Sequence, residues 1–214
     1  MNINNSTEQN DLIKQMKIEL WFPTAIYHHD PELQEIAAIR DELQAVVDKE
    51  YAEILSRSDS LERSYIQSRQ PEHRQVIQKY QLQQFHDYLV KHAGAFLSKL
   101  YPQAQGVEVR ESWFNFYATG DSQEVHNHVH AIHPSFLSGV FYLSAPPGCG
   151  DIKFYHPNMQ TAVPNPQGSI ENYETSYTPL ENRLMLFRSH VSHAVMPNRS
   201  QATRISVSFN IYVR

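Results

Sequence analysis

From Gly106 to the C-terminus the chain is a series of short runs of β-branched and aromatic residues separated by Pro, Gly and Asn turns. The runs are Val107–Tyr117, Phe136–Leu143, Asp151–Tyr155, Leu184–Phe187 and Ile205–Val213. Strands this short and this regularly spaced predict an all-β sandwich or barrel. The N-terminal half reads differently. Between Pro31 and about Ile54, apolar residues such as Leu33, Ile36, Ile39, Leu43 and Val47 recur at helical spacing. A second helix is predicted over His73 to Leu100, ended by Tyr101-Pro102. The stretch Ile18 to Tyr27 is β-rich, but Pro23 restricts it to an edge or an interrupted strand. A helical layer (residues 30–100) on a double sheet (residues 106–214) is the expected architecture, mainly β with N-terminal helices. Residues 17–214 then make one domain behind a frayed lead-in over residues 1–16. Two polar stretches, Ser56–Pro71 and Asn158–Glu181, read as loops; the second is long enough to suggest a lid or a substrate-facing insertion.

Composition narrows the function classes. A net charge of -5 gives no electrostatic footprint for nucleic acid, and there is no Lys/Arg block. No stretch approaches the ~18 consecutive apolar residues of a membrane span. The single cysteine, Cys149, excludes an intrachain disulfide framework and suits a reducing compartment. With a polar Met1–Asn10 that lacks a signal-peptide core, a cytoplasmic protein is expected.

Seven of the 12 histidines (126, 128, 130, 133, 156, 190 and 193) lie in the C-terminal half. In a strand, residues at i, i+2 and i+4 share a face, so His126, His128 and His130 converge on one side. Val125 and Val129 take the other parity. His126 and His128 from one strand, with a remote His193, leave part of a metal's coordination sphere open, as catalytic sites do. The bland alternatives are an exposed histidine-rich strand, and a His193 buried against backbone carbonyls. For His190 the bland reading is the preferred one.

The terminal strand adds a second signal. In Arg204-Ile-Ser-Val-Ser-Phe-Asn-Ile211 the odd positions are apolar and the even ones, Arg204, Ser206, Ser208 and Asn210, are polar. One face therefore packs on a core and the other points into a polar cavity. An inward guanidinium is costly unless paired, which implies an anion. Its planar fork suits a carboxylate, and the Ser206 hydroxyl can donate to the same group.

These residues resemble the small phage- and bacterial-type Fe(II)/2-oxoglutarate-dependent oxygenases, relatives of the prolyl-hydroxylase-like enzymes. The likeness spans roughly residues 20–214. It rests on Leu20-Trp-Phe-Pro-Thr-Ala-Ile-Tyr27, Trp113-Phe-Asn115, Gly120-Asp121, His126-Asn-His128 and Ser138-Gly-Val-Phe-Tyr-Leu143. It continues through Gly150-Asp-Ile-Lys-Phe154, Leu186-Phe-Arg-Ser189, His193-Ala-Val195, Pro197-Asn198 and Arg204-Ile-Ser-Val-Ser-Phe-Asn210.

The resemblance implies a double-stranded β-helix (jelly-roll, cupin-like) core that uses Fe(II), 2-oxoglutarate and O2. By it His126 is the first iron ligand and His193 the distal one, while Arg204 and Ser206 grip 2-oxoglutarate. Tyr142, Asn115 and Asn210 are candidates for contacts around the co-substrate. The expected reaction is hydroxylation of a C–H bond in a small molecule, amino acid or peptide, with release of succinate and CO2. One departure matters: most of the superfamily places Asp two residues after the first His, where this chain has His128. The second ligand is open among His128, His130, His133 and Glu124. Two rival readings stand beside this one: a 2-oxoglutarate-independent, cupin-like three-His dioxygenase, and a jelly-roll binding module. The helices offer a surface for a homodimer.

Overall fold

The computed structural model describes residues 24–56, 65, 74–129, 135–157 and 174–213. The lead-in, most of the Ile18–Tyr27 run, His130, His133, most of the Ser56–Pro71 stretch and the first part of the Asn158–Glu181 stretch lie outside them. The elements run β1 (Ile26–His29), α1 (Leu33–Ser56), α2 (Val76–Tyr80), α3 (Gln83–Leu100), β2 (Val107–Tyr117), β3 (Gln123–His126) and β4 (Leu137–Ser144). They continue with β5 (Ile152–Tyr155), β6 (Glu174–Tyr177), β7 (Leu184–Arg188), β8 (His193–Val195) and β9 (Arg204–Val213).

The strands form two antiparallel sheets. The larger has the order β1-β7-β4-β9-β2 and the smaller β3-β8-β5-β6. From β2 to β9 the chain passes repeatedly between them, which is the winding of a double-stranded β-helix. β1 occupies the edge of the larger sheet, where a strand near Pro23 can sit.

Alternation sorts the side chains of the larger sheet. Phe114 and Phe116 of β2, Phe141 and Leu143 of β4, Leu184 and Leu186 of β7, and Val207, Phe209 and Ile211 of β9 face outward. There they share one hydrophobic cluster with Ile36, Leu43 and Val47 of α1 and Phe85, Leu89 and Phe96 of α3. The opposite parity faces the smaller sheet: Val140, Tyr142, Met185 and Phe187 pack with Ile152 and Phe154. Along β2 this parity is not constant. Val109 belongs to the outer cluster although Trp113 and Asn115 face inward, because the pairing with β9 shifts between Val109 and Glu111. An extra residue at a bulge moves every later side chain to the other face.

Three local outcomes differ from the sequence-based expectations. The helix predicted over His73–Leu100 is broken, because Gln81 adopts a left-handed conformation (φ 55) that closes α2 before α3 begins. Leu82 gives α3 no side-chain cap, and Glu42 of α1 accepts the Gln84 and Phe85 N–H groups instead, at 3.1 and 3.0 Å. Within the predicted Asn158–Glu181 loop, Glu174–Tyr177 is a strand paired with β5. The histidine strand is shorter than alternation suggested: β3 ends at His126, and its pairing with β8 is irregular between Gln123 and His126. No helix among the described residues is long and apolar enough to cross a membrane.

Candidate metal and carboxylate site

β3 and β8 pair so that His126 stands directly opposite His193. Beyond the end of β3 the His128 N–H donates to the Ser189 carbonyl at 2.9 Å. This tether returns the His128 ring to the pair. Ligand nitrogens of His126, His128 and His193 all lie within 4.8 Å of one another. The His128 and His193 rings stack at 10° with centroids 5.1 Å apart, and their Nε2 atoms are 3.3 Å apart. His193 is buried and fixed by the Phe187 ring at 4.7 Å.

Hydrogen bonding selects which nitrogen points inward. His126 Nδ1 lies 2.9 Å from the Glu124 carbonyl, and His193 Nδ1 lies 3.0 Å from that of Val191. A carbonyl only accepts, so both Nδ1 atoms carry the proton, and in the neutral tautomer the ring lone pair is then on Nε2. This is how metal-ligating histidines are commonly oriented. Two Nε2 lone pairs 3.3 Å apart repel unless a proton or a cation lies between them. Burial, then the charges of neighbouring imidazoles, hold His128 well below the usual imidazole range. Burial, followed by His126, brings His193 down to about 3. Glu124 lines the cavity but is exposed and stands outside the ligand cluster. His190 is exposed rather than buried against backbone, and it too stands apart from the cluster.

The imidazoles open onto a cavity of about 590 Å³ between the two sheets. Arg204 and Ser206 of β9 lie in its wall, 2% and 1% exposed. The Arg204 guanidinium lies 4.1 Å from the centre of the Tyr117 ring and donates through Nη1 to the Gly150 carbonyl at 3.1 Å. Its Nε has no hydrogen-bond partner, and among the described residues no carboxylate pairs with it. A buried guanidinium left this way costs several kcal/mol, roughly, unless an anion completes it.

The other candidates divide. Tyr142 is buried in the cavity wall, and burial pushes its phenol up to about 12. Tyr117 is raised for the same reason, so both keep a proton to donate at neutral pH. Asn115 also lines the cavity, but its amide is committed: it accepts from Trp113 Nε1 at 3.1 Å and donates to Ser208 Oγ at 2.9 Å. Asn210 does not line the cavity. Its amide accepts from Ser138 Oγ at 2.8 Å and donates to Glu111. Asn127, on the cavity wall, accepts the Val129 N–H at 3.1 Å. Trp113, Tyr117, Tyr65, Arg74 and Gln123 also line the cavity and were not anticipated. Trp113 and Tyr117 share the parity of Asn115 along β2, which is the signal that would have found them.

Gly150 links this wall to the backbone. Its φ is +88, and a Cβ there would fall 2.0 Å from the Met196 carbonyl oxygen. Gly150→Ala must move the carbonyl that holds Arg204. With Arg204 in the co-substrate role that the sequence resemblance implies, the expected result is about a tenfold rise in the apparent KM for 2-oxoglutarate with little change in Fe(II) affinity, the size of effect typical when a group orienting a site residue is disturbed. Unchanged oxoacid kinetics would show that the carbonyl plays no positioning part.

Comparison with known proteins follows the same lines. Residues 111–210 match the family described as "Putative 2OG-Fe(II) oxygenase". Over this region, 100 of the 214 residues, the chain is similar to the Fe(II)/2-oxoglutarate oxygenases, enzymes that use Fe(II), 2-oxoglutarate and O2. The fold is similar to a prolyl-4-hydroxylase from Pseudomonas putida, with a TM-score of 0.58 and 16% identity over 96% of each chain. It is also similar to AviO1 from Streptomyces viridochromogenes Tue57, with a TM-score of 0.60 and 12% identity over 88% of this chain and 90% of that one. A third similar structure is the viral collagen prolyl hydroxylase of Paramecium Bursaria Chlorella virus-1, with its 2-oxoglutarate. There the TM-score is 0.51, with 16% identity over 87% of this chain and 94% of that one. No curated protein sequence matches.

The residues present fit the family's groups. Three clustered imidazoles suit Fe(II), and a buried guanidinium without a carboxylate partner among the described residues suits a carboxylate.

Protonation of these imidazoles is linked to stability. His193 titrates at about 3 and His92, lowered by burial and then by His29, at about 4, against 6.5 for a free imidazole. Between those values the unfolded chain binds more protons, so stability falls as pH drops below about 6.5 and levels off near the folded values. At about 1.4 kcal/mol per pH unit, we expect each residue to contribute roughly 3–5 kcal/mol over that interval. The check is the Tm of chelator-treated protein, which should decline steadily from about pH 7 to about pH 4.

Proposed function

We propose that the chain is a hydroxylase, acting on a C–H bond of a small molecule, an amino acid or a peptide. Arg204 carries this reading: a buried guanidinium that no carboxylate among the described residues pairs with, in the wall of a cavity that three imidazoles also line. His126, His128 and His193 would hold Fe(II) through Nε2, with His128 in the place of the usual carboxylate. Arg204 and Ser206 would take the far carboxylate of 2-oxoglutarate, and Tyr117 and Tyr142 keep protons available for donation in the same wall. Bound Fe(II) would couple decarboxylation of 2-oxoglutarate to the activation of O2. The chain's own part is to orient the imidazoles, fix the carboxylate and enclose the reacting atoms between the sheets.

Trp113, over which Arg74 lies at 4.8 Å, and Tyr65, stacked on Tyr117 at 4.8 Å, make part of the cavity wall aromatic and cationic. Such a wall accommodates amino-acid or peptide substrates with an apolar body and a polar end. Two of the similar structures are named as prolyl hydroxylases, in keeping with that class.

The test is anaerobic addition of Fe(II) and then 2-oxoglutarate to metal-free protein. A saturable visible charge-transfer band, followed on exposure to O2 by equimolar succinate, is the expected result. Bound iron without any band would favour a three-histidine dioxygenase that needs no oxoacid, the alternative for which the all-imidazole cluster itself speaks.

A further inference from the structure

On the outer face of the larger sheet, away from the cavity, a second group of ligands comes together. Along β1 the side chains alternate: Ile26 packs between the sheets, whereas Tyr27 joins the cluster beneath the helices. His29 has the parity of Tyr27, and its ring stacks on that of His92 of α3, centroids 4.5 Å apart at 30°. Glu35, in the first turn of α1, brings Oε1 to 3.5 Å from His29 Nε2. Ligand atoms of His29, Glu35 and His92 all lie within 4.8 Å of one another.

The hydrogen bonding around this group is incomplete in a way that points to an ion. His92 is 6% exposed and its Nε2 has no hydrogen-bond partner, while its Nδ1 is engaged by the Tyr27 hydroxyl at 2.6 Å. His29 Nε2 and the Tyr88 hydroxyl are likewise buried without hydrogen bonds, and the Tyr88 ring lies 4.3 Å from that of His92. Buried polar atoms normally have partners, and three orphans at one spot are costly. Nearby charges leave the place open. Asp30 is committed to Arg183 at 2.6 and 2.7 Å, and the ammonium of Lys91, 72% exposed, reaches Glu35 only at 3.9 Å.

We propose that His29, Glu35 and His92 bind a divalent ion of the zinc type, which clamps β1 to the first turn of α1 and the middle of α3. Two imidazoles and one carboxylate are a zinc donor set, with water in the fourth position. The Tyr27 hydroxyl on His92 Nδ1 is the outer contact that orients the ring, and the Tyr88 hydroxyl is at hand for the water. The ion joins segments that are distant in sequence, so its effect is on the docking of the edge strand and on stability.

The experiment is a Zn(II) titration of the full, untagged, chelator-treated protein, by calorimetry and by metal content after gel filtration. His126→Ala/His193→Ala, which dismantles the first cluster, is expected to retain one equivalent per chain. His29→Ala or Glu35→Gln in that background is expected to weaken it about 10-fold or more, and to abolish the rise in Tm on adding Zn(II). The same single changes in the otherwise unaltered chain should lower the stoichiometry by one. Both positions are partly exposed, so folding is expected to survive. A double variant that binds no zinc, or binding indifferent to His29→Ala and Glu35→Gln, would overturn the proposal. Either outcome is independent of whether the first cluster holds iron.

Discussion

Arg204→Met is expected to raise the dissociation constant for 2-oxoglutarate about 100- to 1,000-fold while Fe(II) still binds. Removing one partner of a buried charge pair costs roughly 2–5 kcal/mol, and each 1.4 kcal/mol or so is tenfold in affinity. Methionine replaces much of the apolar bulk against Tyr117 and Tyr142 without the charge. The oxoacid-free protein should therefore lose no stability and can gain some, because an unpaired buried cation has been removed. Arg204→Lys should recover only part of the affinity, since an ammonium cannot present a planar fork. The measurement is the charge-transfer titration, with Tm recorded beside it. An oxoacid affinity that survives Arg204→Met would refute the assignment of this wall to the co-substrate.

The second large effect concerns the imidazoles. His193→Gln removes the ligand opposite His126 and should lower Fe(II) affinity more than 100-fold, roughly, with loss of succinate formation, since even disturbing groups behind a ligand costs 10- to 100-fold. His128 separates the possible ligand sets more finely. His128→Ala should weaken iron binding comparably, whereas His128→Asp should retain it, because two imidazoles and a carboxylate also form an Fe(II) site. If the oxoacid band persists in His128→Ala, the third ligand is elsewhere, and His130, His133 and Glu124 are the next residues to change. Iron affinity measured anaerobically in the single variants decides among them.

How much of this was legible follows from what kind of order each element carries. Alternation in Arg204–Ile211 is legible because one face of the strand packs on the apolar layer beneath the helices and the other faces a polar cavity. The convergence of His126, His128 and His193 rests on the same period of two, but the shortness of β3 does not. It depends on the tether from His128 to Ser189, a contact across 61 residues. The strand Glu174–Tyr177 escaped notice because it is a mostly exposed edge and carries no hydrophobic pattern. The helix break at Gln81 escaped because a left-handed glutamine is held by its surroundings rather than by its own preference. The bulge near Arg110 is invisible for the same reason, although it sets which β2 residues face the cavity. His29, Glu35 and His92 come from three elements, and only the tertiary fold joins them.

The brevity of β3 has a consequence for handling the protein. It is the outermost strand of its sheet, four residues long, paired to β8 only at Gln123 and His126. Val125 within it and Val129 just beyond its end are 55% and 57% exposed. The ion that His126 and His193 are proposed to share would fasten this margin to the strand within. Chelation releases it, and a loosened apolar margin with free N–H and C=O groups is where chains associate edge to edge. Stripping the metal should therefore shorten shelf life in concentrated solution, visible as rising light scatter, before it alters the far-ultraviolet spectrum.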